Sequence, residues 1–124
     1  MDNGFPKELR VVRGDDFTRV LRAGGCAADG TIVVFALPRT DCGPETSRES
    51  LPTRLGVTIP KKTGNAVVRN QWKRWIRESF RTQRSRIPMG YDLIVRPKKD
   101  AIPDGSVIQK NLPRLAVKAI GRIR

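Results

Sequence analysis

A chain of 124 residues fits one compact domain, large enough to bury an ordinary core without disulfides or a structural metal. Apolar residues make up 38% and mean hydropathy is −0.44; charge, not low-complexity sequence, fills the gap, so this is a folded domain with an extended polar face. Lys and Arg number 25 against 12 Asp and Glu, a net charge of +13 with no histidine, which calls for a polyanionic partner and removes the commonest general base and metal ligand.

Along the chain, residues 1–8 read as a loose tail, and the opening MDNGFPKELR has no apolar segment of a secretory signal. Asp15 and Asp16 precede Phe17, Val20 and Leu21 at helical spacing, and Gly24-Gly25 ends the run, which predicts a short capped helix. Thr31 to Leu37 (TIVVFAL) is β-branched and aromatic, as a buried strand is. Residues 38–53 carry Gly43, Pro44, Ser47 and Ser50 and read as a variable loop. Leu55, Val57 and Ile59 alternate with Arg54, Gly56 and Thr58 as a half-buried strand, followed by a basic turn from Pro60 to Gly64.

Ala66 to Gln83 is the longest helical pattern. Tyr91 to Arg96 is a third strand stopped by Pro97, and Asp104 caps a last helix in which Pro113 should force a kink or restart. The predicted order α-β-β-α-β-α makes a single α/β (α+β) two-layer sandwich spanning residues 1–124. No stretch of about 18 apolar residues is present, so no membrane helix is expected and the cytoplasm is the expected compartment. Cys26 and Cys42, 16 residues apart with no histidine to join them, read as reduced bystanders rather than a disulfide or metal site.

The chemistry is concentrated in the long helix. On a helical wheel Val68, Trp72, Trp75, Ile76, Ser79 and Phe80 share one apolar arc, which assigns both tryptophans to core packing rather than base stacking. Arg69, Lys73, Arg77 and Arg81 form an i, i+4 series on the neighbouring face, widened by Asn70, Arg74 and Arg84. Like charges in that register cost a few tenths of a kcal/mol each, so a merely solvated helix would interleave acids. Lys61 to Arg86 holds nine bases and one acid, Glu78, or +8 of the total +13. Successive side chains rise about 6 Å along the axis, comparable with phosphate spacing along a strand, and guanidinium groups grip phosphate oxygens in pairs. Lys61 and Lys62 add charge just ahead of the helix N-terminus, itself an anion site. No nucleophile–base pair, metal-ligand spacing or phosphate loop is present, so the isolated chain is not expected to be an enzyme. Periodicity alone leaves Phe17 and Phe35 open between core and an exposed sheet face.

The run Lys61-Lys62-Thr63-Gly64-Asn65-Ala66-Val67-Val68-Arg69-Asn70, continued by Lys73-Arg74, Arg77-Glu78 and Phe80-Arg81, resembles the signature of the bacterial ribonuclease P protein family. The likeness extends to Asp16-Phe17 with Val20 and Gly24, to the strand of Phe35, to Arg54-Leu55-Gly56 and to Tyr91-Asp92, covering roughly residues 9 to 118. It implies a small sheet with helices and a left-handed βαβ crossover, against the usual right-handed rule. It also implies that a partner, ribonuclease P RNA, performs endonucleolytic removal of the 5′ leader from precursor tRNA with RNA-bound magnesium, the protein alone being noncatalytic. In that reading Lys61, Lys62, Arg74 and Arg77 face the RNA with Arg81 alongside. Arg69, Asn70 and Lys73 lie near the cleavage region and its magnesium, and Phe17 and Phe35 line a cleft for the leader. The aromatics and Arg69, Asn70 and Lys73 should then share one side of the molecule. No direct protein ligand to metal, no DNA and no membrane are implied.

Three departures stand out: Gln71 replaces a usual second arginine and takes away one phosphate contact, Leu21 stands where relatives can carry an aromatic, and Pro60 stiffens the turn. A general RNA-binding protein would share the basic helix but gives no reason for an open aromatic sheet face. A membrane-surface helix would favour lysine and place its tryptophans at the polar boundary, and an autonomous nuclease would need acids or histidines.

Overall fold

The computed structural model describes residues 14–40, 47 and 50–123, the side chain of Asp16 excepted. The predicted tail, Cys42 and half of the predicted loop therefore lie outside the described residues. Among the described residues the α-helices and strands follow in order: α1 (Gly14–Ala23), β1 (Gly25–Ala28), β2 (Ile32–Pro38), β3 (Arg54–Val57), α2 (Ala66–Thr82), β4 (Tyr91–Pro97) and α3 (Gly105–Ile120). The fold is the expected α+β sandwich, with one strand more than the sequence pattern predicts. That strand is β1, whose residues GCAA have little β-propensity. It exists because it pairs with β2 and because Gly25 lets it pass against the end of α3. A Cβ at Gly25 would lie 2.0 Å from the Ala119 carbonyl oxygen.

The sheet runs β1-β2-β4-β3. The β1–β2 hairpin turns at Asp29, whose Oδ1 accepts from the Thr31 and Ile32 amides at 2.7 and 2.8 Å. The other carboxylate oxygen accepts from Asn111 Nδ2 at 2.6 Å and ties the hairpin to α3. Burial pushes the Asp29 carboxyl up, but these hydrogen bonds outweigh it and leave it below its usual value. Strand β4 is central, antiparallel to β2 and parallel to β3, so β3–α2–β4 is a βαβ crossover between neighbours.

Alternation along the strands divides the sheet into two faces. On one, Ile32, Val34, Leu55, Leu93 and Val95 pack with Trp72, Ile76 and Phe80 of α2 and with Ile108 and Leu112 of α3. On the other, Val20 of α1 and Ile94 form a smaller cluster with Phe17, Phe35 and Leu37.

Helix α3 runs as one helix through Pro113, without the restart that is one of the two expectations there. A proline at that position leaves the carbonyl of Gln109 without its helical N–H, and Gln83 Nε2, just past the end of α2, supplies the missing donor at 2.6 Å. Ser79 Oγ donates to the Ile108 carbonyl at 3.3 Å beside it. The interruption in one helix thus becomes the hydrogen-bonded seam between two.

Candidate nucleic-acid interface

Helix α2 starts at Asn65, whose side chain accepts from the Val68 amide at 3.0 Å. The basic turn before it is a short 3-10 segment over Lys61–Thr63, entered through Pro60 at φ −60°. Lys61 and Lys62 are exposed. Within α2, Trp72, Ile76, Ser79 and Phe80 are buried, as the wheel requires. The basic series does not form a uniform face. Arg69, Lys73 and Arg77 are half-buried, whereas Asn70, Arg74 and Arg81 are exposed. Each step of four residues turns a helix position by about 40°, so the series begins at the edge of the buried arc and ends opposite it. Arg69 Nε is buried with no hydrogen-bond partner among the described residues, as is Trp72 Nε1. Arg81 is ion-paired with Glu78 one turn back, so its charge is partly spoken for.

Across the sheet, Phe17 and Phe35 are both half-buried. Phe17 lies over β3 at Gly56, where a Cβ would approach its ring to 2.7 Å, so the absence of a side chain makes room for the aromatic. Phe35 carries the Arg96 guanidinium 5.2 Å above its ring centre, a cation–π pair on the open side of the sheet. Leu21, at 39% exposure, takes no part in the small cluster.

Helix α1 has little apolar surface with which to hold this arrangement, and a charged tie assists it. Asp92 is fully buried at the start of β4. It accepts from Arg54 Nε at 2.7 Å and Arg54 Nη2 at 2.9 Å, and from Arg19 Nη2 of α1 at 3.1 Å. Arg19 also donates to the Pro38 carbonyl at 3.2 Å. One carboxylate therefore joins α1, β3 and β4.

A groove of about 580 Å³ continues from this face. The exposed edges of Cys26, Ala28 and Val33 floor it, and Lys62, Arg96, Lys98 and Lys99 supply charge. The aromatics and the helix that carries Arg69, Asn70 and Lys73 do not share one sheet face, against the expectation of a common side. The body of α2 packs on the opposite sheet face, and its basic lead-in, through Lys62, shares the groove that continues the aromatic face. Sequence reasoning did not single out Arg96, Lys98 and Lys99, although a basic pair directly after a strand-ending proline is a legible signal. It equally missed the Arg19–Asp92–Arg54 tie, which only the fold assembles.

Among the described residues no group of three or more Cys, Asp or Glu side chains could hold a metal ion, and no helix is long and apolar enough to cross a membrane. The ribonuclease P family profile matches residues 5–119. A ribonuclease P protein component of Listeria innocua is 35% identical over 118 residues, covering 94% of this chain and 91% of that one. Another from Petrotoga mobilis is 35% identical over 96 residues, covering 77% and 74%. The Staphylococcus aureus RNase P protein structure superposes with a TM-score of 0.73 at 30% identity, over 94% of this chain and 98% of that one. The Thermotoga maritima protein shares the fold at TM-score 0.64 and 24% identity, over 93% and 97%. With its basic crossover helix, its half-open aromatic face and this coverage, the chain belongs to the ribonuclease P protein family, the protein components of that holoenzyme.

Proposed function

We propose that the chain seats on ribonuclease P RNA through α2 and the turn before it, and holds the 5′ leader of precursor tRNA in the groove on the α1 face. The RNA then removes the leader with its own bound magnesium. The observation that carries this reading is Arg96, which lies over the Phe35 ring and also lines the groove with Lys62, Lys98 and Lys99. Single-stranded nucleic acid asks for that combination, bases stacking on rings and arginine planes while cations track the backbone. Phe35 with Arg96, and Phe17 above Gly56, would take bases; Lys62, Lys98 and Lys99 would take phosphates. The tie at Asp92 would hold α1 at the height that keeps Phe17 over the sheet.

On the other surface, exposed Lys61, Asn70 and Arg74 would meet the RNA first, with Lys73 and Arg77 at its margin and Lys62 where that surface meets the groove. Arg69 fits the same role, since a buried unpaired donor costs about 1–3 kcal/mol and a phosphate oxygen would satisfy it. Asn70, with an exposed amide that both donates and accepts, is suited to a hydrated magnesium ion held by RNA. The protein's part is to bind and orient, and its place of action is the cytoplasm.

The test is reconstitution with a bacterial ribonuclease P RNA. The chain alone should leave precursor tRNA intact, and adding it to the RNA should lower the magnesium requirement for cleavage. Replacing Arg69 and Lys73 together by Ala should flatten the dependence of log affinity on log salt by about 1.5, two phosphate contacts at 0.7 to 0.9 each. An unchanged slope would move the main contact from α2 to Lys61 and Lys62.

A further inference from the structure

Helix α3 carries a second basic stripe that the reading above does not use. Lys110, Arg114, Lys118 and Arg122 stand four residues apart, and no acid occurs anywhere from Gly105 to Arg124. All four are exposed. Three lie on the helix, rising about 6 Å per step. Arg122 follows beyond its end and donates to the Cys26 carbonyl at 2.9 Å, which brings the stripe to the edge strand β1. Arg114 donates to Asn111 Oδ1 at 3.1 Å. Among the described residues none of the four pairs with a carboxylate. A solvated helix face usually relieves such repulsion with acids at i, i+3 or i, i+4, as Glu78 does for Arg81 on α2.

The stripe also has a direction. Gln109 faces α2, its side chain donating to Thr82 Oγ1 at 3.2 Å and its carbonyl accepting from Gln83. On a wheel with Ile108 at zero, Gln109 lies at about 100° and the four bases span about 200° to 320°, on the flank away from α2. Asn111 lies within that arc and reaches Asp29 in the β1–β2 hairpin. Both helices cover the same sheet face, across from Phe17 and Phe35. The two basic surfaces therefore look out from opposite flanks of one helical layer, and neither flank is the leader side.

We propose that the α3 stripe is a second RNA-binding surface that engages the phosphate backbone of a separate segment of the catalytic RNA, so that the RNA is clamped from both flanks of the helical layer. This rests on the reading of the protein as an RNA-binding subunit for the identity of the polyanion. The stripe's geometry is independent of it.

The experiment measures binding of the full chain to ribonuclease P RNA without tRNA as a function of salt, with a hydroxyl-radical footprint of the RNA. The test variant is Lys110→Gln with Lys118→Gln. A matched control, Arg22→Gln with Arg86→Gln, removes two exposed bases elsewhere. An unchanged melting transition checks the fold of both. The α3 pair should flatten the salt slope by about 1.5 and lose one protected RNA segment, while Arg69→Ala with Lys73→Ala loses a different one. A control pair with an equal slope change reduces the stripe to net charge and overturns the proposal, as does an unchanged slope or footprint for the α3 pair. So does loss of binding to anionic vesicles with RNA binding intact, which would assign the stripe to a lipid surface. If the α3 pair acts and the α2 pair does not, the clamp loses its α2 arm and the reading of α2 fails separately.

Discussion

The two faces of the sheet are built on different terms. On the α2–α3 face large side chains such as Trp72, Phe80 and Ile108 are shut away from water, and even an unpaired indole N–H is tolerated within the packing. On the α1 face, among the described residues, only Val20 and Ile94 are fully buried hydrophobic residues, and the two aromatics beside them remain half-open. A charged tie through Asp92 does there what apolar area does on the other side. Stability is concentrated where the sheet is closed, and the surface left for a ligand is held in shape by directional bonds.

The largest effect expected from that contrast is on the closed face. Trp72→Ala should cost about 3–5 kcal/mol of stability, read from chemical denaturation of the protein without RNA. A loss no larger than that of Phe35→Ala would erase the distinction between the faces. Next comes Asp92→Asn. Removing one partner of a buried ion pair costs about 3 kcal/mol or more. The exposure of Arg19, 27% in its side chain, means that solvent offsets part of the loss on the α1 side. Hydrogen exchange in α1 should rise more than in α2, and equal rises would deny the tie its special role on the open face.

Smaller still is the expected effect of Phe35→Ala on stability, since the ring is half-exposed. Its effect should appear in binding. Base stacking on an aromatic contributes about 1 to 3 kcal/mol, so precursor tRNA should bind the reconstituted enzyme about 5- to 150-fold more weakly, with mature tRNA unaffected. Equal losses for both substrates would return Phe35 to the core. The smallest effect belongs to Asp29, at the hairpin that links β1 to α3. Its carboxyl titrates below its ordinary value of 3.8 in the folded chain, so its contribution is present above that pH and fades as pH falls through the lowered value. Asp29→Asn should therefore remove part of the acid sensitivity of unfolding below about pH 4, with little change near neutrality.

Much of this molecule was legible in one dimension. The apolar arc of α2, the Asp104 start of α3, and the strands at Ile32–Pro38 and Tyr91–Pro97 follow from periodicity and capping, which act within a few residues. The basic surfaces are composition read through helical spacing, and the KKTGNAVVRN run marked the family before any fold was known. What required the tertiary structure depends on residues far apart in the chain. Strand β1 forms because β2 and the end of α3 receive it, not because GCAA favours extension. Pro113 is accommodated because Gln83, 30 positions earlier, supplies a donor to the carbonyl that the proline strands. Phe17 and Phe35 were undecidable by alternation, which separates two faces but cannot tell which one a ten-residue helix leaves half-covered. That outcome was settled by the size of α1, the bare backbone at Gly56 and the pull of Asp92 on Arg19. All three are matters of how much surface meets across the sheet, and a local pattern carries no measure of it.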